Sequence, residues 1–455
     1  MLPGAAMRIL IIGGGEVGYA LARGLAGDHA VVVVDHSSEV GERFRTLDVE
    51  FVHGSATSAD VLRRASLDDA ELMIACTGLD EVNLVACAIA KRTGLTRTTC
   101  FVSSDDFLGA DGSADSMREH FGIERVVWPE AQLADDIERV IAAPGAIDAE
   151  VFAGGRIRLL EFRLQEGSPL TAGPVSSLRV PQRALIVAVK RQGAFDIPRG
   201  DTRLAAGDKI IVMGTPAALR DLQPQIEPTS ASGSKRQLVT IIGGGDVGFR
   251  LAQRLDAEAK VELRIIEKDR RRGEQLAASL KRALVLNGDG TDLELLEAEE
   301  IGRSNVLVSV IDNDERNLLA SLLARQLGVR KIITRVSRPA NLRLFELVGI
   351  DVALSARGAA VTSVIHHIQG GRANLLAVLE EGQATVVELI VPPDYRPRAL
   401  QDLNAPPQSI VGAILRRDQV LIPRGQDQIR PHDRLLVFAT SESAAAIRNF
   451  FTTGN

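Results

Sequence analysis

Ile11–Ala26 reads IIGGGEVGYALARGLA and Ile241–Asp256 reads IIGGGDVGFRLAQRLD; the two agree at ten of sixteen positions without a gap. Each begins at the end of an apolar, β-branched run and opens apolar residues at helical spacing, which predicts a strand, a tight glycine turn and a helix. In the first copy Gly13, Gly15 and Gly18 form Gly-x-Gly-x-x-Gly, and Asp35 closes the next apolar run 22 residues after Gly13. In the second, Gly243, Gly245 and Gly248 are followed by Glu267, 24 residues after Gly243. This spacing carries a mechanism. The first glycine permits the turn, the second lets backbone approach a pyrophosphate, the third lets the helix pack closely, and the acidic residue accepts hydrogen bonds from ribose hydroxyls. The first-turn amides, at Glu16 and Val17 and at Asp246 and Val247, face the anion. A carboxylate at the ribose disfavours a 2′-phosphate, so NAD or NADH, or an adenine nucleotide, is expected over NADP(H). The basic run after Glu267, Lys268 and Arg270 to Arg272, reads as a solvated helix start.

Working outward, the repeat covers the whole chain. Asp80 maps to Asp314 and Asn83 to Asn317, each 234 residues on, and Ile197-Pro198-Arg199-Gly200 recurs as Ile422-Pro423-Arg424-Gly425. The order is A-B-A′-B′, a tandem duplication rather than a solenoid, whose repeats run about 20 to 50 residues. In A, apolar runs at 9–12, 31–34 and 72–75 alternate with helical patterns at 17–25 and 83–92, the signature of βαβ units and a doubly wound parallel sheet. In B, Val- and Ile-rich runs at 157–162, 185–190 and 209–213 between turn residues predict a small α+β module. The fold class is α/β, with two Rossmann-like domains, at 7–140 and 238–370. Each is followed by a module, at 141–223 and 371–455, and a polar linker spans 224–237.

The halves differ where a ligand would lie. The turn after the third strand is Gly54-Ser55 in the first half and Gly288-Asp289 in the second, so only the second offers a carboxylate. Phe101 takes the place of Arg335, which removes a partner for phosphate. The two sites are expected to be inequivalent. Thr77, Asp80 and Asn83, with Asp314 and Asn317 in the repeat, follow the fourth strand, where ligands gather in open α/β sheets; Asp and Asn there could equally cap the next helix.

Composition narrows the function. At roughly 150 residues per domain, 455 residues imply about three domains. Hydrophobic residues at 45% and charged residues at 25% exclude wholesale disorder. A net charge of -6 lacks the basic excess that nucleic acid requires, so none is expected as a partner. Three cysteines without Cys-x-x-Cys spacing fit a reducing cytoplasm, no run is long enough to span a bilayer, and Met1–Ala6 has no signal-peptide character. A dehydrogenase needs an acid or base in a substrate cleft. The seven histidines show no metal-ligand spacing, only Tyr19 and Tyr395 are tyrosines, and neither Walker nor Gly-x-Ser-x-Gly sequences occur. No catalytic residue and no metal site is expected, and nucleotide binding without catalytic equipment points to sensing. An NAD-dependent oxidoreductase with unrecognised catalytic groups is the alternative; a redox-sensing transcription factor is disfavoured by the acidic balance.

The glycine loops, Asp35, the Asp80-Glu81-x-Asn83 stretch with its repeat, and the two Ile-Pro-Arg-Gly segments together resemble the peripheral regulatory subunits of Trk potassium-uptake systems, built from tandem RCK domains (regulators of potassium conductance). The resemblance runs nearly end to end, with Ser55 and Phe101 as departures in the first half. It implies a non-enzymatic, cytoplasmic subunit, peripheral on the inner face of the membrane. Such a subunit is a homo-oligomer, expected as a tetrameric ring, docked on a membrane-embedded Trk-type potassium channel or transporter subunit. NAD, NADH, ATP or ADP would set its conformation.

Overall fold

A computed structural model describes residues 6–103, 119–143, 145–191, 193–226, 236–369, 374–379, 383–417, 419–440, 442–443, 446–447 and 450–451. The chain forms two compact units, residues 1–133 with 355–369, and residues 134–354 with 370–455. Among the described residues no helix is long and apolar enough to cross a membrane.

The first unit holds six parallel strands: β1 (Arg8–Ile12), β2 (Ala30–Asp35), β3 (Glu50–His53), β4 (Leu72–Ala75), β5 (Thr98–Phe101) and β6 (Arg125–Val127). Their order is β3-β2-β1-β4-β5-β6, the doubly wound arrangement expected from the sequence. Strand alternation explains the near-continuous apolar runs. Leu10, Ile12, Val32, Val34, Met73 and Ala75 face one core, and Ile9, Ile11, Val31, Val33, Leu72 and Ile74 face the other. The second core is completed from far along the chain. The helix Ala356–Gln369 contributes Ala360, Val361, Val364 and Ile368. It meets the helix Glu16–Leu25 so closely that a Cβ on Gly24 would lie 2.4 Å from Ile365 Cδ1. Arg125 Nη2 donates to Ser363 Oγ at 2.8 Å.

The second unit contains the first module: β7 (Ala146–Phe152), β8 (Ile157–Arg163), β9 (Ala184–Arg191), β10 (Ala194–Asp196) and β11 (Lys209–Gly214), antiparallel in the order β10-β9-β11-β8-β7. Strand β7 was not legible in sequence, because charged Asp148 and Glu150 interrupt its apolar pattern. The helix Pro216–Ile226 runs into the expected linker, of which 227–235 lie outside the described residues. A second parallel sheet follows: β12 (Gln237–Ile242), β13 (Val261–Glu267), β14 (Leu284–Asn287), β15 (Val306–Ser309), β16 (Lys331–Arg335) and β17 (Val352–Leu354), in the order β14-β13-β12-β15-β16-β17. The second module comprises β18 (Asn374–Leu379), β19 (Ala384–Ile390), β20 (Arg398–Ala399), β21 (Ser409–Arg416), β22 (Gln419–Leu421), β23 (Gln428–Ile429) and β24 (Arg434–Thr440); β20 pairs only with β23.

The two modules share one core, in which Ile157, Leu159, Val187 and Met213 pack with Val386, Ala413, Leu436 and Phe438. The same ion pair braces each module. Asp208 accepts from Arg191 Nε at 2.8 Å and Nη2 at 2.7 Å, and Asp433 accepts from Arg416 Nε and Nη2, each at 2.8 Å. Bidentate geometry of this kind orders the turn each aspartate sits in; Asp208 also accepts from Ala205 N and Asp433 from Arg430 N.

The helix Pro129–Ile141 leads into β7 and is tied to it by one arginine. Arg139 Nε donates to Ala149 O at 3.0 Å, and its Nη2 pairs with Asp136 and lies 3.8 Å from Glu150 Oε1. One guanidinium cannot neutralise Asp136, Asp148 and Glu150 together. Burial, opposed by Arg139, pushes Asp136 up to about 6 and Glu150 up to about 7. Both carboxyls bind a proton more tightly folded than unfolded, so their contribution is fully present below about pH 4 and is lost as pH rises through about 6 to 7. Accordingly, Glu150→Gln should raise the denaturant midpoint of this unit at pH 8 and leave it nearly unchanged at pH 4. A midpoint shift of equal size at both pH values would show that Glu150 is not protonated in the fold.

Candidate functional site

Both glycine loops close the C-terminal edge of their sheets in one geometry. Gly13 and Gly243 each take a φ of +101°, a conformation that L side chains rarely adopt. Gly18 and Gly248 lie against the loop itself: a Cβ would sit 1.8 Å from Gly13 O and 1.9 Å from Gly243 O. Gly15 and Gly245 differ from both pairs. Their φ is -63° and -64°, and a Cβ on either meets no atom within 4 Å. Neither backbone conformation nor internal packing asks for glycine there. What the missing side chain leaves open is the approach to the first-turn amides of the helices Glu16–Leu25 and Asp246–Ala257, whose caps make no side-chain hydrogen bond.

Each acidic residue at the end of the second strand binds its own glycine loop. Asp35 Oδ2 accepts from Gly14 N at 2.7 Å and its Oδ1 from Ser37 N at 2.8 Å. Glu267 Oε2 accepts from Gly244 N at 2.6 Å and its Oε1 from Asp269 N at 2.8 Å. Carboxylates held this way have lone pairs left for a ribose hydroxyl.

The floor beneath the first loop is Cys76, whose Sγ donates to Gly13 O at 3.7 Å. Burial, with the Asp35 charge, pushes this thiol up to about 12, so it is a protonated packing residue and not a nucleophile. Sheet register assigns Val310 to the same place in the second half.

Beyond the fourth strand, the structure gives Asp80, Asn83, Asp314 and Asn317 a role that neither sequence expectation described. Asn83 is fully buried; its Oδ1 accepts from Thr77 N at 2.9 Å and from Thr77 Oγ1 at 2.7 Å, and its Nδ2 donates to Thr77 O and to Phe101 O. Asn317 does the same for Ile311 N, Ile311 O and Arg335 O. Asp80 accepts from Ser103 N, and Asp314 from Ser337 N, Arg338 N and Asn341 Nδ2. Burial raises the Asp314 carboxyl, but these hydrogen bonds outweigh it and hold the group below its ordinary range. The four side chains therefore knit the loops after the fourth and fifth strands together. The cap of the helix Asp314–Gln326 is Asn313, which accepts from Arg316 N at 2.8 Å.

The third-strand turns differ as the sequence predicts. In the first half Ser55 Oγ and Thr57 Oγ1 share a hydrogen bond of 2.8 Å beside Gly54. In the second half, after Gly288, Asp289 accepts from Thr291 Oγ1 at 2.7 Å, meets Arg316 Nη2 at 2.6 Å and Lys268 Nζ at 3.1 Å. Partial burial raises Asp289, and these partners more than reverse it, leaving the carboxyl well below its usual range. A further pair joins Arg335 Nη2 to Asp312 Oδ1 at 3.0 Å.

The expectation that the basic run after Glu267 is merely solvated needs correction at two positions. Lys268 pairs with Asp289, and Arg272 Nε donates to Gly244 O at 2.8 Å while its guanidinium lies 5.2 Å from the Phe249 ring centroid. Both side chains are part of the second loop's wall. Arg316 and Asp312 were missed in sequence. Comparing the halves by register could have found them, since they stand where the first half has Val82 and Gly78. A cavity of about 590 Å³, lined by Lys91, Gly94, Thr96 and Glu124, opens at the opposite, N-terminal edge of β5, away from the glycine loops.

Two glycine loops on two doubly wound sheets, each sheet followed by an antiparallel module, define a duplicated protein with two Rossmann-like domains. The TrkA-N domain family matches residues 9–129 and 239–356, and the TrkA-C domain family matches 159–226 and 386–452. The chain belongs to the TrkA family of Trk-system potassium uptake proteins. It is 37% identical to Trk system potassium uptake protein TrkA homolog 1 of Methanosarcina mazei, over 98% of this chain and 100% of that one. In fold it resembles the GsuK channel bound to NAD, with a TM-score of 0.62 at 20% identity, covering 100% of this chain and 80% of that one. It also resembles GsuK bound to ADP, with a TM-score of 0.50 at 16% identity, covering 81% and 71%.

The glycines separate fold from function experimentally. Gly18→Ala must push the helix off Gly13 O and should cost about 3 kcal/mol or lower the yield of folded protein. Gly15→Ala points into open space and should leave the unfolding midpoint within about 0.5 kcal/mol of wild type. Comparable destabilisation by the two substitutions would show that Gly15 serves packing.

Proposed function

We propose that this chain is a nucleotide-binding regulatory subunit of a Trk-type potassium uptake system, without catalytic activity of its own. The observation that carries the reading is the open space at Gly15 and Gly245, glycines that the fold itself does not require. A pyrophosphate reaching that space meets helix N-terminal amides, and the ribose meets Asp35 or Glu267. The remaining site residues are Gly13, Glu16, Val17, Gly18, Gly54, Ser55 and Thr77 in the first half, and Gly243, Asp246, Val247, Gly248, Gly288, Asp289 and Arg335 in the second. Asp80, Asn83, Asp314 and Asn317 hold the loops around them. The ligand is NAD or NADH, with ATP and ADP as alternatives; NAD and ADP are what the similar GsuK structures hold. Nucleotide-binding segments at 7–140 and 238–370 alternate with modules at 141–223 and 371–455. The subunit works as a cytoplasmic homo-oligomer, a tetrameric ring against the inner face of a membrane-embedded potassium channel or transporter subunit.

Regulation follows from differential affinity. A nucleotide shifts the subunit between arrangements only if it binds one more tightly, and the membrane partner must then alter nucleotide affinity by the same factor. Calorimetric titration of NADH, and separately ATP, into the full chain should show one or two saturable sites per subunit. Gly15→Trp and Gly245→Trp should each abolish binding at its own loop, and the pair should alter potassium uptake in cells that depend on this system. Failure of both nucleotides to bind, or wild-type uptake from the double variant, overturns the proposal.

A further inference from the structure

The second glycine loop carries a charge constellation that the first lacks in full. Lys268, Arg316 and Arg335 stand where the first half has His36, Val82 and Phe101, and Asp289 and Asp312 stand where it has Ser55 and Gly78. The five charges are not equally held. Asp289 accepts from Thr291 N and Oγ1, Arg316 and Lys268, a network that fixes it. Among the described residues Asp312 has a single ion pair, to Arg335, and its side chain is 84% exposed, while that of Arg335 is 13% exposed. The guanidinium is built into the wall and its counter-ion hangs in solvent.

The pair does not hold the architecture. In the first half the same loop and strand end are joined without it, by Asn83 donating to Thr77 O and Phe101 O. Asn317 makes the equivalent bonds to Ile311 O at 2.7 Å and Arg335 O at 3.0 Å. These bonds also fix Arg335 relative to the glycine turn, because Ile311 N lies 3.1 Å from the position of a Cβ on Gly243. A cation held at the loop but not needed by it serves a ligand, and an exposed carboxylate on that cation is the group a ligand displaces.

We infer that Asp312 is a built-in competitor at the second loop, occupying Arg335 until an anionic group of the nucleotide, a phosphate oxygen, takes its place. The inference rests on the nucleotide-binding reading given above and adds the regulation of that site. Exchange is favourable because a phosphate offers Arg335 bidentate geometry and more charge than the single oxygen Asp312 contributes. An ion pair whose carboxylate lies in solvent is also weak to begin with. Ligand binding would then release the segment between β15 and the helix Asp314–Gln326 from its only ion-pair restraint at Asp312 among the described residues. The first loop, with Gly78 and Phe101, has no such exchange, so the two loops respond differently to the same nucleotide.

The test titrates ADP, and in parallel NADH, into the full-length chain carrying Gly15→Trp to silence the first loop. Asp312→Asn keeps the shape and removes the charge, and should tighten binding about two- to fivefold, the range a pair with a solvent-exposed carboxylate can supply. Arg335→Gln should weaken binding relative to the Gly15→Trp chain. In the Arg335→Gln background, Asp312→Asn should have no further effect. If Asp312→Asn leaves affinity unchanged or lowers it while the parent binds normally, the inference fails and the nucleotide reading stands. If the gain persists without Arg335, Asp312 acts by general repulsion rather than by competition, and the inference also fails. If the parent binds neither nucleotide, the nucleotide reading fails at this loop and takes the inference with it. Asp312→Asn is a surface change, and an unaltered unfolding midpoint would confirm that affinity alone has moved.

Discussion

Contact between the carbonyl of Gly13 and the backbone of Gly18, repeated by Gly243 and Gly248, sets the rest of the structure. With no Cβ at Gly18 or Gly248, the helix that follows the first strand descends directly onto the turn that launches it. Its N-terminal amides consequently emerge at the sheet edge, beside the acidic residue that ends the neighbouring strand. The left-handed φ of Gly13 and Gly243 serves the same end, since it turns the chain sharply enough to bring the helix back over its own strand. Open space over those amides is a by-product of that close approach, and Gly15 and Gly245 leave it clear.

Duplication has kept this frame and released the periphery. Asn83 and Asn317, Asp80 and Asp314, and the two loop carboxylates make matching hydrogen bonds in both halves, because each satisfies buried backbone that the fold exposes on the way between strands. The charges of Asp289 and Arg335 beside the second glycine loop have no counterpart in the first half. Arg335 and Phe101 end the fifth strands in the same register, and Asp289 and Ser55 lie in the turns after the third, so these exchanges disturb no ladder. The halves therefore diverge in electrostatics while remaining superimposable in register.

Much of this was legible in sequence because it depends on local rules. Glycine spacing, strand-ending acids and β-branched runs identified the parallel sheets, and direct comparison of the halves identified the Asp289 and Arg335 substitutions. What escaped depends on contacts distant in sequence or on side chains with two plausible fates. Strand β7 is disguised by Asp148 and Glu150, and the partner of Glu150, Arg139, lies on the preceding helix. Arg272 looked solvated because nothing local reveals that it folds back 28 residues to Gly244. Asn83 and Asn317 sit at helix starts where capping is the commonest use of asparagine, and only the sheet shows that their amides join the loop after the fourth strand to the end of the fifth instead.

Each loop helix also touches a helix that leads into a module, and this is where binding can become motion. In the first unit the helix Glu16–Leu25 packs through Gly24 on Ile365 of the helix Ala356–Gln369, which precedes the second module. In the second unit the helix Asp246–Ala257 extends Arg254 to Asp135 and to Glu138, the latter at 2.9 Å, on the helix that precedes the first module. Lys331 Nζ, on the fifth strand of the same sheet, donates to Val140 O at 2.7 Å at that helix's C-terminal end. A loop ligand that displaces its helix by a fraction of an ångström must either carry the module-leading helix with it or break these contacts. Packed elements pass such shifts on rather than absorb them. The helix of the first loop thus packs on the helix that leads in sequence to the second module, and the helix of the second loop on the one that leads to the first.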